Sequence, residues 1–277
     1  MSPEPTPPNP TSCGAALRPR RILALNASHR GPRGYTHFLL DLLLQGAREQ
    51  GAHTELVDLA RLEITPCRAC EACHTPKRRL RCLMEERDDV AGLFQRMRRA
   101  DLIVYGTPVY VFGVASRLKT LWERMYGVCD VRRLCLTRSG LIFHHVDSLC
   151  TKPLAAVICC DSLEAAIPAN AVHHFRTYAR FMDAPLAGIL VRNGAALAGH
   201  GDPQAVRRFP ALESVYRAYR RAGAELALRG RISRRTRARA NREIVPLPAF
   251  ALLKRLRPFK PRILERARAF LSQEEQP

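Results

Sequence analysis

Carboxylates are scarce in this 277-residue chain: 25 Asp and Glu stand against 45 Lys and Arg, a formal net charge of +20. The imbalance leaves the fold open but gives the surface an attraction for anions, whether phosphates, nucleic acid or a lipid surface. Long apolar runs are missing too, and none approaches the roughly 18 residues that span a bilayer. The opening stretch MSPEPTPPNPTSCGAALRPRR has no apolar core of a secretory signal. Neither G-x-x-x-x-G-K-[ST] nor G-x-G-x-x-G occurs, which removes the Walker and dinucleotide fingerprints. Aromatic residues make up only 6%, so the basic segments lack the interleaved rings on which nucleic-acid bases stack. With 47% hydrophobic residues, the chain is long enough for one sizeable core and short for two full domains.

Cysteine, by contrast, is plentiful. Ten cysteines without a secretory leader point to a reducing, cytoplasmic setting, where a tight cluster signals metal binding or redox work rather than disulfides. Residues 1–19 carry prolines at 3, 5, 7, 8, 10 and 19 and few aliphatic side chains, which predicts a disordered leader. From residue 20 the character changes. Apolar runs at 22–25, 54–59, 102–105, 154–160 and 186–191 predict strands, the third closed by Gly106-Thr107-Pro108. Between them lie helical patterns: residues 37–49, then Val90, Leu93, Phe94 and Met97, then Leu118, Leu121, Trp122 and Met125, then Phe175, Tyr178 and Met182. Continuously apolar strands alternating with amphipathic helices predict a parallel sheet buried on both faces, a three-layer α/β domain over residues 20–200. Asp202-Pro203 opens a last helix over 201–230, which Pro210 kinks or splits and Gly230 stops. Residues 231–277 form an Arg-rich basic extension, read as a dispensable appendage. It suits either an anionic partner or a solvated tail or subunit-contact arm.

In such a sheet, ligands sit outside the carboxyl ends of the strands. The loop after the first strand, with Ser28, Arg30, Gly34, Tyr35 and Thr36, is basic and hydroxyl-rich and opens directly onto a helix, a combination that cradles phosphate. The loop after the third strand offers Thr107, Pro108, Val109, Tyr110, Val111, Phe112 and Gly113, an apolar face with backbone groups at its edge. A third feature is Cys67-x-x-Cys70-x-x-Cys73, with Cys82 after an eight-residue basic spacer, in a loop over 67–82. That spacing leaves three readings open: an iron-sulfur cluster, zinc, or free redox-active thiols. Cys159-Cys160, in a predicted core strand, read as small buried hydrophobes. His144-His145 and His173-His174 read as surface or helix residues.

These loops resemble those of the flavodoxin-like NAD(P)H-dependent FMN reductases. Ser28, Arg30, Gly34 and Thr36 follow that family's G-S-x-R-x-x-G-N-T, with Ala27 for the glycine, Tyr35 for the asparagine and one extra residue before Gly34. Asp101 to Gly113 resembles the family's A-D-x-I-V-x-G-T-P-V-Y-F-G, and Ser116, Leu118 and Lys119 follow as S-x-x-L-K does. The cysteine cluster resembles the family's iron-sulfur flavoprotein branch. The resemblance implies a flavodoxin-like three-layer sandwich with a five-stranded parallel sheet plus a C-terminal helical and basic extension. It implies FMN on the two loops, NAD(P)H as donor, a 4Fe-4S cluster on Cys67, Cys70, Cys73 and Cys82, and a homo-oligomer. The acceptor would be a small molecule, such as a quinone or nitro compound, or a redox protein. No side chain is assigned a catalytic role. A flavin or iron-sulfur redox sensor whose basic tail meets an anionic partner is the alternative.

Overall fold

A computed structural model describes residues 21–245 and 250–265; the predicted leader and the end of the basic extension lie outside them. Five parallel strands form the sheet: β1 (Arg21–Asn26), β2 (His53–Asp58), β3 (Leu102–Tyr110), β7 (Leu154–Cys160) and β8 (Leu186–Asn193), in the order β2-β1-β3-β7-β8. The chain leaves β1 in opposite directions to reach β2 and β3, so a crevice opens beyond the carboxyl ends of β1 and β3. Side chains alternate across the sheet. Ile22, Ala24, Leu102 and Val104 join one core with α1 (Tyr35–Arg48) and α6 (Ala211–Arg229). Leu23, Leu25, Ile103 and Tyr105 join the other, with α2 (Val90–Arg99), α3 (Ser116–Arg124) and α4 (Ala169–Phe181). Cys159 and Cys160 are buried as expected.

The third strand departs from its reading. It runs through Gly106-Thr107-Pro108 to Tyr110 and turns back into β4 (Gly113–Val114). β1 ends opposite Gly106, so Pro108 sits where β3 has lost that neighbour, and a missing N–H is tolerated at such an edge. A second departure is the hairpin of β5 (Cys129–Leu136) and β6 (Ile142–Val146), inserted between α3 and β7. It places His144 and His145 on a strand, opposite Leu134 and Asp130.

Helices α1 and α6 meet backbone to backbone at Gly46 and Gly223. A Cβ on Gly223 would lie 1.7 Å from the Leu43 carbonyl oxygen, and one on Gly46 would lie 1.8 Å from that of Arg220. Gly92 in α2 has nothing within 4 Å of that position. Gly223→Ala is therefore expected to force the helices apart and destabilise by about 3 kcal/mol. Gly92→Ala should gain up to about 1 kcal/mol of helix propensity. Urea melts of the two variants, read against the parent, check the contrast; equal midpoints would contradict it.

The C-terminal region corrects one expectation. Pro210 does split the last helix, into α5 (Pro203–Arg208), capped by Asp202 accepting from Gln204 N–H at 3.0 Å, and α6, which stops at Gly230. But residues 231–245 are no appendage. Ile232, Ala240 and Ile244 are buried in the same core as β1 and α1, and α7 (Arg234–Ala240) packs beside β8. Arg192, fully buried on β8, donates to the carbonyls of Asn193, Ala240 and Arg242 at 2.9, 3.2 and 2.7 Å. Glu225 on α6 accepts from Ser233 N–H and the Thr236 hydroxyl, both at 2.7 Å. Burial alone would raise the Glu225 carboxyl, but these donors hold it below the usual carboxylate range. The arginine-rich composition hides a docked segment.

Candidate functional site

The loop after β1 is organised from beneath by Asn26, which the strand buries at its carboxyl end. Its amide donates to Asp58 Oδ1 at 2.7 Å and to the Gly31 carbonyl at 3.2 Å, and its Oδ1 accepts from Ser28 N–H at 3.1 Å. His37 Nδ1 lies 2.9 Å from the same Asp58 oxygen. This network ties the loop to β2 and to the first turn of α1. Gly34 starts that helix without a side-chain cap, so its first amides stay available to an anion.

The predicted phosphate residues do not all face outward. Ser28 is buried and accepts from Arg30 N–H at 3.3 Å. Gly34 lies against it, since a Cβ there would come 2.6 Å from Ser28 Oγ. Tyr35 stacks on His200 with centroids 4.3 Å apart. Thr36 is buried at 1% exposure with its hydroxyl on the Cys159 thiol, whose own titration burial pushes up to about 12. Arg30 is exposed. Backbone amides and Arg30, rather than the Thr36 hydroxyl, are what this loop offers a phosphate.

The loop after β3 meets the first one. His29 Nε2 lies 3.0 Å from Ser116 Oγ at the start of α3, and its ring sits 5.7 Å from Tyr110. Thr107 is buried and structural: its hydroxyl accepts from Ala115 N–H at 2.9 Å and donates to the Pro108 carbonyl at 2.9 Å. Pro108, Val109 and Gly113 are half-buried, Tyr110 is exposed, and Val111 and Phe112 form the turn at 92% and 59% exposure. Both turn residues adopt positive φ, +45° and +65°. A two-residue hairpin turn demands that conformation, yet glycine and asparagine usually supply it. A β-branched residue there is strained, and such strain concentrates at ligand sites.

The cysteine loop is held by two aspartates that precede α2. Asp89 accepts from Glu63 N–H at 2.7 Å and Asp88 from Thr65 N–H at 3.1 Å. Asp88 also pairs with Arg124 of α3, both side chains fully buried, and Arg124 donates to the Thr65 carbonyl at 2.8 Å. Burial opposes ionisation of Asp88, but Arg124 and the Thr65 and Val90 amides hold its carboxyl below the ordinary range. The spacer folds back because Leu80 N–H donates to the Cys73 carbonyl at 2.8 Å, with Arg79 and Leu80 at positive φ. Cys67, Cys70, Cys73 and Cys82 thereby line one cavity of about 130 Å³, which Arg124 and Tyr126 also line. Burial raises the Cys73 thiol, and the other three cysteines add to that shift. Arg124 Nε is buried with no partner among the described residues. The Asn26, Asp58 and His37 set and the Asp88 and Arg124 pair escape sequence reading, since each joins residues far apart in the chain.

The sheet order and the switch-point crevice define a flavodoxin-type α/β protein. The sequence profile of the NADPH-dependent FMN reductases matches residues 20–193, and the chain belongs to that family. It is 36% identical over 104 residues to an iron-sulfur flavoprotein of Methanocaldococcus jannaschii, covering 38% of this chain and 51% of that one. It is 33% identical over 86 residues to an iron-sulfur flavoprotein of Methanosarcina thermophila, covering 31% and 42%. The chain thus spans about half the length of the curated relatives it matches. In fold it is similar to an FMN-dependent NADH-azoreductase of Bacillus anthracis solved with FMN, at TM-score 0.54 and 14% identity over 75% of this chain and 99% of that one. No helix among the described residues is long and apolar enough to cross a membrane.

Proposed function

We propose that this chain is an FMN-dependent oxidoreductase of a reducing, cytoplasmic setting, taking hydride from NADH or NADPH. Electrons then pass to a 4Fe-4S cluster on Cys67, Cys70, Cys73 and Cys82, or to a small acceptor such as a quinone or nitro compound. The observation that carries this reading is the meeting of an uncapped helix start with an exposed apolar turn at the carboxyl ends of β1 and β3. The residues fit FMN: the α1 amides and Arg30 suit a phosphate dianion, and Tyr110, Val111 and Phe112 suit an apolar ring. Bound there, FMN supplies a hydride acceptor that can release electrons singly or in pairs. The protein's part is to bind, orient and exclude water.

All four cysteines line one cavity, as the ligands of one closed four-thiolate centre would. Arg124 lines the same cavity, its charge already met by Asp88 and its Nε left as a donor. On the β5–β6 hairpin, exposed Leu134, Leu136 and Ile142 offer the apolar surface a homo-oligomer needs.

Titrating FMN fluorescence against protein tests the flavin half. Arg30→Ala with Gly34→Ala removes a cation and crowds Ser28, and should weaken binding by on the order of tenfold to a hundredfold. Unchanged affinity in a variant that melts like the parent would place FMN elsewhere.

A further inference from the structure

A groove of about 710 Å³ runs along β8, the edge strand of the sheet, between α4 and α7. Arg176, Arg229, Arg231, Arg234 and Arg237 line it, and no carboxylate does so among the described residues. Glu225, bonded to Ser233, is buried and not part of the lining. None of the five arginines makes a side-chain hydrogen bond or ion pair within the described residues, and Arg237 Nε is buried without a partner. Gathering like charges in one concave place without an offset is unfavourable unless an anion is to enter.

The floor is the sheet edge itself. The Ala187 carbonyl accepts from Ile232 N–H and Val191 N–H donates to Asn241 Oδ1, each at 2.8 Å. Backbone groups of a strand point to alternate sides, so Ile189, midway between these two, turns its N–H and C=O to the same open edge. Val172, Ile189 and Ile232 supply apolar surface around it. We propose that this groove docks an extended acidic peptide segment of a partner protein. The peptide backbone pairs with Ile189 by strand addition, and its carboxylates meet the arginines above and below the sheet. A phosphodiester backbone would satisfy the arginines but cannot present the N–H that the Ile189 carbonyl needs. The proposal is independent of the flavin and cluster assignments.

The test uses the full chain and a fluorescein-labelled peptide of alternating Glu and Val, read by anisotropy. Binding is expected, and should fall on the order of tenfold or more in Arg231→Glu/Arg234→Glu and in Arg176→Glu, which sits on a different element. Arg61→Glu/Arg217→Glu, the same charge change outside the groove, should leave it nearly unchanged. Methylating alternate peptide nitrogens should weaken binding, and single-stranded DNA of equal charge should bind less well. Thermal melts establish that the variants remain folded. Absent binding, equal losses in the Arg61/Arg217 control, indifference to N-methylation, or DNA bound as tightly with the same variant effects would each overturn the proposal, the last in favour of nucleic acid.

Discussion

Replacing any one of Cys67, Cys70, Cys73 or Cys82 by serine is expected to strip iron and acid-labile sulfide from anaerobically purified protein while leaving FMN bound. The four thiols line a single small cavity, and a closed four-ligand cluster needs every ligand. Cys82 is the informative position, because an eight-residue spacer separates it from the others. The Leu80 hydrogen bond to the Cys73 carbonyl returns the chain after that spacer, so Cys82 should behave like Cys67 rather than as a bystander. FMN should survive because its predicted contacts lie on the loops after β1 and β3. Iron and sulfide assays beside flavin fluorescence give both readings from one sample. Full iron in Cys82→Ser would reduce the site to three protein ligands, and equimolar zinc in the parent would make it a structural clip.

A chain ending at Gly230 is expected to lose cooperative folding, whereas one ending at Val245 should keep it. The shorter chain loses the buried side chains of Ile232, Ala240 and Ile244, each isoleucine contributing about 1.5–3 kcal/mol. It also strands Arg192 in the interior after removing the Ala240 and Arg242 carbonyls. An uncompensated buried charge costs about 3–5 kcal/mol. Together these losses compare with the ~5–15 kcal/mol that hold a whole domain. Circular dichroism melts and retained flavin are the readouts. A Gly230 truncation melting like the parent would mean that the docked segment contributes nothing to the core.

What the sequence disclosed and what it hid follow from the reach of the interactions. Strands β1, β7 and β8 are legible because a parallel strand buried on both faces is a short continuous apolar run. The 154–160 run matches β7 at both ends. Hairpin β5–β6 is not, since Asp130, Arg132 and Arg133 interrupt it and its pairing is set by a partner strand. The helix α7 hides under arginines whose spacing masks Ala240. In the site, the chemistry of the two loops and the four cysteines can be read locally. Side-chain direction cannot: Thr36 turns inward to Cys159 because α1 packs over β3 and β7, which is a tertiary fact. Asn26 and Asp58 meet only because β1 and β2 pair in that register.

The most direct test of the account is the visible absorption spectrum of the full chain, purified without oxygen, before and after addition of NADH or NADPH. The account predicts flavin bands over a broad iron-sulfur shoulder, with both bleaching once the donor is added. A spectrum without flavin bands after incubation with FMN, or bands that neither donor bleaches, would contradict it.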